Sequence, residues 1–233
     1  MVADHTVRSY DQEITLLIRK VLEMGGLVED QIRRSVECLI ARDAEAAKQV
    51  IERDDAVDAL EEEIDQYAIR LLATRQPVAV DLRLIAMAMK ISNDLERAGD
   101  YATGIASRCE RLSEDRNLRP MHAIPRMALL VQAMVKDALD AYVKQDNERA
   151  MAVWHRDDEV DGMYEALFRE LLTYMMEDVR NISSCIDLLF VAKNLERIGD
   201  HTTNICEKIC YIQDGERINR MARTSASAVA VDG

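Results

Sequence analysis

Apolar residues along this chain recur in alternating steps of three and four, the spacing of one helical face. Leu95, Ala98, Ala102, Ile105 and Cys109 follow it, as do Leu195, Ile198, Thr202 and Ile205, and Val57, Leu60, Ile64, Tyr67 and Leu71. Seams of this kind pack helices with nearly parallel or antiparallel axes. The pattern predicts six helices in two sets of three, near 8–41, 43–74 and 80–112, then near 125–144, 146–177 and 180–212. Asp43 and Asp146 stand where N-caps belong. Pro77 stands where a helix must end, and Gly25-Gly26 is a place for the first helix to kink.

The two sets are copies. "NDLERAGD" (93–100) and "KNLERIGD" (193–200) pair at an offset of 100. "RDDAVDALEEEI" (53–64) and "RDDEVDGMYEAL" (156–167) pair at an offset of 103, so the second copy lacks three residues in the turn after its second helix. Repetition at this length marks an internal duplication. The expected architecture is all-α: two tandem three-helix bundles of long antiparallel helices, at 1–113 and 125–213. A linker at 114–124 and a frayed tail at 214–233 complete the division.

Each copy carries two pairs of acids four apart: Asp54 with Asp58 and Glu96 with Asp100, then Asp157 with Asp161 and Glu196 with Asp200. Such pairs stack on one helical face and cost about 0.2–0.5 kcal/mol each by repulsion. In an antiparallel hairpin, positions equidistant from the turn lie level. Asp58 with Glu96 and Asp54 with Asp100 both centre on 77, and the second-copy pairs centre on 178.5. Four acids are therefore expected level in each bundle, pointing away from the apolar seam as an outer carboxylate patch. Eight carboxylates with no aligned His or Cys make an all-oxygen donor set, suited to Mg²⁺, Ca²⁺, Mn²⁺ or iron and less to Zn²⁺. The plain alternative is a solvated helix face. Arg97 and Arg197 read as local salt-bridge partners, and His155 and His201 as surface histidines. Gly99 and Gly199 allow either a close helix approach or a bulky ligand.

Composition narrows the function. Only eight glycines and three prolines interrupt the chain, in keeping with long helices. A net charge of −13 disfavours nucleic acid and anionic lipid as partners. No stretch has the length and apolarity of a membrane span or a signal peptide. Five cysteines without a C-x-x-C read as reduced core thiols in a cytoplasmic protein. There is no Glu-x-x-His of the di-iron bundles, no P-loop, no G-x-S-x-G and no dinucleotide fingerprint. The chain is therefore read as a non-enzyme. The rival reading is a carboxylate-bridged metal enzyme of phosphatase or oxidase type.

Duplicated bundles with "D-x-x-V-D", then "L-E-R-x-G-D", and the stretch "PVAVDLRLIAMAMKISNDLERAGD" (77–100) resemble the PhoU family over essentially the whole chain. The resemblance implies a cytoplasmic, often dimeric protein of the phosphate-specific transport system. Such a protein would be a negative regulator of the phosphate-starvation response and would restrain phosphate uptake. It would act as an adaptor between a phosphate ABC transporter and a sensor histidine kinase. It also implies a multinuclear metal, iron first and manganese, magnesium or zinc as alternatives. The metal would be held by Asp54, Asp58, Glu96, Asp100, Asp157, Asp161, Glu196 and Asp200. Asp94 has Asn194 as its counterpart, and no role is carried over to it.

Overall fold

The computed structural model describes residues 2–114 and 122–216, and among these every regular element is helical. The first half holds α1 (Val2–Ala41), α2 (Ala44–Glu52), α3 (Asp54–Arg75), α4 (Ala79–Ala106) and the short α5 (Cys109–Glu114). The second holds α6 (Ala123–Lys144), α7 (Asn147–His155), α8 (Asp157–Glu177), a 3-10 turn (Val179–Asn181) and α9 (Ile182–Asp214). Most of the expected linker and all of the expected tail beyond Glu216 lie outside the described residues. Among the described residues no helix is long and apolar enough to cross a membrane.

The helix ends are written locally, and the same way twice. Arg42 takes a left-handed φ of 60° and turns the chain out of α1, so that Asp43 N–H reaches the Cys38 carbonyl at 2.9 Å. The Asp43 carboxylate then accepts from the N–H groups of Glu45 (3.1 Å) and Ala46 (2.9 Å) and starts α2. Gln145, at φ 50°, and Asp146 repeat the device between α6 and α7, with Asp146 accepting from Arg149 N–H at 3.0 Å. A cap of this kind contributes about 1 kcal/mol. The α3–α4 turn falls at Gln76–Val78 around Pro77, and the α8–α9 turn opens at Asp178.

Three expectations are corrected. The second helix of each copy is two helices, stepped at Arg53 and at Arg156, where 3-10 bonds run from Ala56 N–H to Arg53 (3.1 Å) and from Glu159 N–H to Arg156 (3.0 Å). The third helix of the first copy stops at Ala106, and α5 follows after a turn, whereas α9 continues unbroken to Asp214. The helix α1 runs through Gly25-Gly26. A Cβ on Gly25 would sit 2.4 Å from Leu139 Cδ1, so this glycine serves close packing of α1 on α6 rather than bending.

One apolar core passes through both halves, with α4 and α9 side by side at its centre. They run antiparallel. Arg83, near the start of α4, donates to the carbonyls of Ile212 (2.8 Å) and Gln213 (3.1 Å) at the end of α9. Between these ends Tyr101 and His201, equivalent positions of the two copies, meet with ring centroids 5.6 Å apart. The halves are thus related by a local two-fold axis at this contact.

Candidate functional site

The step at Arg53 and Arg156 places the first acid of each D-x-x-V-D at the opening of a helix. Asp54 and Asp55 begin α3, and Asp157, Asp158 and Glu159 begin α8. Carboxylates are favoured there by the helix dipole, typically by about 0.3–1 kcal/mol each. This offsets the repulsion that their i, i+4 partners impose.

The glycines of L-E-R-x-G-D receive these carboxylates. A Cβ on Gly99 would lie 3.0 Å from Gln31 Oε1 and 3.4 Å from Asp54 Oδ1. A Cβ on Gly199 would lie 2.9 Å from Asp157 Oδ1. Each glycine thus lets an aspartate from the preceding helix settle on the backbone of α4 or α9. The register is the level one expected, since Asp54 rests one residue from Asp100 and Asp157 one residue from Asp200. Gln31 of α1 closes the first site over, its Nε2 donating to Asp54 Oδ1 at 3.0 Å.

The outer-patch expectation is corrected by burial. Asp157 is 1% exposed, and Asp54, Asp161, Glu96 and Glu196 are half-buried. Asp58, Asp100 and Asp200 are exposed. The step in the second helix changes the angular phase that a straight helix would give, and α1 packs over the acid that was expected outside. Burial pushes the Glu96 carboxyl above its ordinary range; the Asp100 charge adds to this and Arg97 opposes it. Asp58 is raised by partial desolvation first, then by the charges of Asp54 and Asp100. Arg97 makes the expected local pairs, to Asp100 (3.2 Å) and Glu96 (3.3 Å). Arg197 instead lies over the Tyr101 ring at 5.4 Å. Lys193 donates to Glu196 Oε1 at 2.6 Å, while Glu196 Oε2 is buried with no hydrogen-bond partner among the described residues. Among the described residues no three His, Cys, Asp or Glu side chains converge closely enough to hold one ion.

Sequence reasoning missed the charges that join the two halves. Asp94 on α4, 6% exposed, accepts from His201 Nδ1 at 2.9 Å and pairs with Lys208, both on α9. His201 is thus half-buried in the joint, not the surface histidine expected. In the reverse sense Asp187 on α9 receives Arg111 at 2.6 Å and Arg108 at 3.1 Å. Burial raises the Asp187 carboxyl and Arg111 opposes this. The mismatch of Asp94 with Asn194 was a visible signal, but its partners are more than a hundred residues away. All five cysteines are buried, as expected of core thiols.

Comparison with known proteins gives consistent results. A family model described as "PhoU domain" matches residues 21–109 and 124–209. A Caulobacter vibrioides protein named "Phosphate-specific transport system accessory protein PhoU homolog" is 49% identical over 218 residues, 93% of this chain and 95% of its own length. A Zymomonas mobilis protein of the same name is 45% identical, covering 94% and 92%. The crystal structure of PhoU from Pseudomonas aeruginosa superposes with a TM-score of 0.85 at 41% identity, covering 89% of this chain and 100% of that one. That of the phosphate transport system regulatory protein PhoU from Streptococcus pneumoniae gives 0.85 at 30%, covering 90% and 99%. Both halves match the family model and the relatives span nearly the whole sequence: this chain belongs to the PhoU domain family.

Proposed function

We propose that this protein is an accessory regulator of a phosphate-specific transport system. It holds the phosphate-starvation response down when phosphate is plentiful, restrains uptake, and works at the cytoplasmic face as an adaptor between a phosphate ABC transporter and a sensor histidine kinase, as a homodimer. The observation that carries this reading is the near full-length identity to relatives named as such accessory proteins. A helical scaffold with clustered acids suits an adaptor, whose work is contact rather than bond-making.

The eight carboxylates are the second part of the reading. They fit a hard cation by chemistry, being oxygen donors throughout, and Glu196 Oε2 is buried without a hydrogen-bond partner among the described residues. A bound cation would supply charge neutralisation. Asp54, Asp58, Glu96 and Asp100 would hold it in the first half, and Asp157, Asp161, Glu196 and Asp200 in the second. The exposed Asp58, Asp100 and Asp200 can change rotamer without disturbing the core.

The test is genetic and biochemical. A strain lacking this chain is expected to express a phosphate-starvation reporter in phosphate-rich medium, and to return to repression when the chain is restored. Continued repression together with normal uptake in the deletion strain overturns the reading.

A further inference from the structure

The chain contains two phenylalanines, and both lie outside the core: Phe168 is 40% exposed and Phe190 48%. Phenylalanine is ordinarily among the buried residues. Their counterparts in the first copy are Asp65 and Lys90, which with Glu61, Met89 and Asn93 line one open groove between α3 and α4. The equivalent residues Tyr164, Phe168, Leu189, Phe190 and Lys193 turn the same groove, between α8 and α9, into an aromatic one. Two contacts place Tyr164, Phe168 and Lys193 on that face. The rings of Tyr164 and Phe168 are 6.5 Å apart, and Lys193 Nζ lies 5.3 Å from the Tyr164 ring centre. The apolar surface continues at four-residue spacing to the hairpin tip, through Leu172 and Met176 on α8 and Ile186 and Ile182 on α9, with Met176 88% exposed. The aromatic stretch of this patch has no counterpart in the first copy, whose own hairpin exposes Ile69, Val78, Val80 and Leu82, so those rings are not needed for the fold.

The charge around it selects the occupant. Beside the patch α8 presents Glu165, Glu170 and Glu177 against one arginine. That arginine, Arg169, faces Glu165 at 3.7 Å. Lys193 is engaged by Glu196, Arg180 by Asp178 at 2.7 Å, and Arg108, stacked 4.5 Å from the Phe190 ring centre, by Asp187. Arg108 and Arg111 share the single Asp187 carboxylate, so one positive charge stays against Glu170 and Glu177, and the rim is negative on balance. A second copy would bring α8 against an equally acidic α8, and an anionic lipid surface would be repelled.

We infer that the α8–α9 groove docks a cationic amphipathic helix of a partner protein, with apolar side chains on Phe168 and Phe190 and basic ones on the α8 rim. A groove between two helices is the shape such a helix fills. The inference deepens the adaptor reading and rests on it for biological meaning. A direct binding measurement nevertheless succeeds or fails apart from the reporter and uptake phenotypes that test that reading.

The probe is a fluorescein-labelled synthetic helix with leucines on one face and lysines on the other, titrated with the full chain and followed by anisotropy. Binding is expected to weaken about tenfold or more in the Phe168→Ser/Phe190→Ser double variant. It should weaken with added salt and stay unchanged in Val80→Ser/Leu82→Ser at the other hairpin tip. Met176→Ser, altering a side chain almost wholly in solvent, should weaken binding while leaving the fold untouched should the double variant misfold. Equal binding by the wild type and these variants overturns the proposal, as does equal affinity for a leucine–glutamate helix. It is also overturned if the double variant turns a dimer into a monomer in light scattering, or loses binding to phosphatidylglycerol vesicles, since a second copy or a membrane would then be the occupant.

Discussion

The carboxylate of Asp94, on the third helix of the first repeat, is paired with Lys208 on the third helix of the second. The pair sits beside the Tyr101–His201 contact and ties the halves across their local axis. Lys208→Met removes the ammonium and leaves a buried carboxylate with His201 alone, at an expected cost of about 1–3 kcal/mol. Asp94→Asn keeps the shape already present at Asn194 and should cost less. The double variant should recover part of the loss. Urea unfolding of the four proteins measures the coupling; strict additivity would show that the pair does not join the halves.

The glycines divide by what lies above them. Gly26→Ala and Gly162→Ala add a methyl where none of the described residues stands within 4 Å, and each should stabilise its helix by up to about 1 kcal/mol. Gly199→Ala should instead destabilise by about 1–3 kcal/mol, since its Cβ meets Asp157 Oδ1 at 2.9 Å. Thermal midpoints of the three variants decide this, and a Gly199→Ala as stable as Gly162→Ala would show that the carboxylate is not held there.

Metal removal has a directional signature. Glu96→Gln/Asp100→Asn is expected to lower bound metal, measured by elemental analysis, while leaving helicity unchanged. In chelated protein it should be neutral or stabilising by about 0.2–0.5 kcal/mol, because repulsion goes and only exposed contacts to Arg97 are lost. The wild type should gain about 2.7 kcal/mol at a hundredfold excess of cation over Kd, and the variant less. Undiminished metal content in the variant removes these two residues from the donor set.

An acid-limb prediction follows from Asp137. Burial pushes its carboxyl up, but hydrogen bonds from Arg149 (2.7 Å) and Arg156 (2.5 Å) outweigh it, and the group lies below its ordinary range. The unfolded chain then binds more protons than the folded one across that window. The stabilisation is therefore complete above about pH 3.9 and is lost as the pH falls through the folded value. Asp137→Asn should be less stable than the wild type near pH 7, with the gap closing in acid. A gap that stays constant with pH would mean the ion pairs contribute nothing.

Much of the architecture was legible because it is written locally and written twice. The caps at Asp43 and Asp146, the turn at Pro77 and the level register of the acids all depend on neighbours in sequence. The breaks at Arg53 and Arg156 were missed, although Asp54-Asp55 and Asp157-Asp158-Glu159 are the acid-rich first turns that open helices. The uninterrupted apolar spacing concealed them. The burial of Asp157 was not legible, because it depends on the step at Arg156 and on the packing of α8 against Gly199; the Asp94–Lys208 pair was not, because it arises where one half meets the other and no local pattern encodes that meeting.

The contact of Tyr101 with His201 has a consequence for what this molecule can become. Two identical subunits meeting about such a diad must present the same residue to each other, and every change enters on both sides at once. Here the partners are linked in one polypeptide and are not identical. Asp can therefore stand at one position and Asn at its twin, and a charged groove on one side can face the world as an aromatic one on the other. Covalent linkage releases the pair from symmetry, so that a single molecule has a left hand and a right hand and can grip two different things.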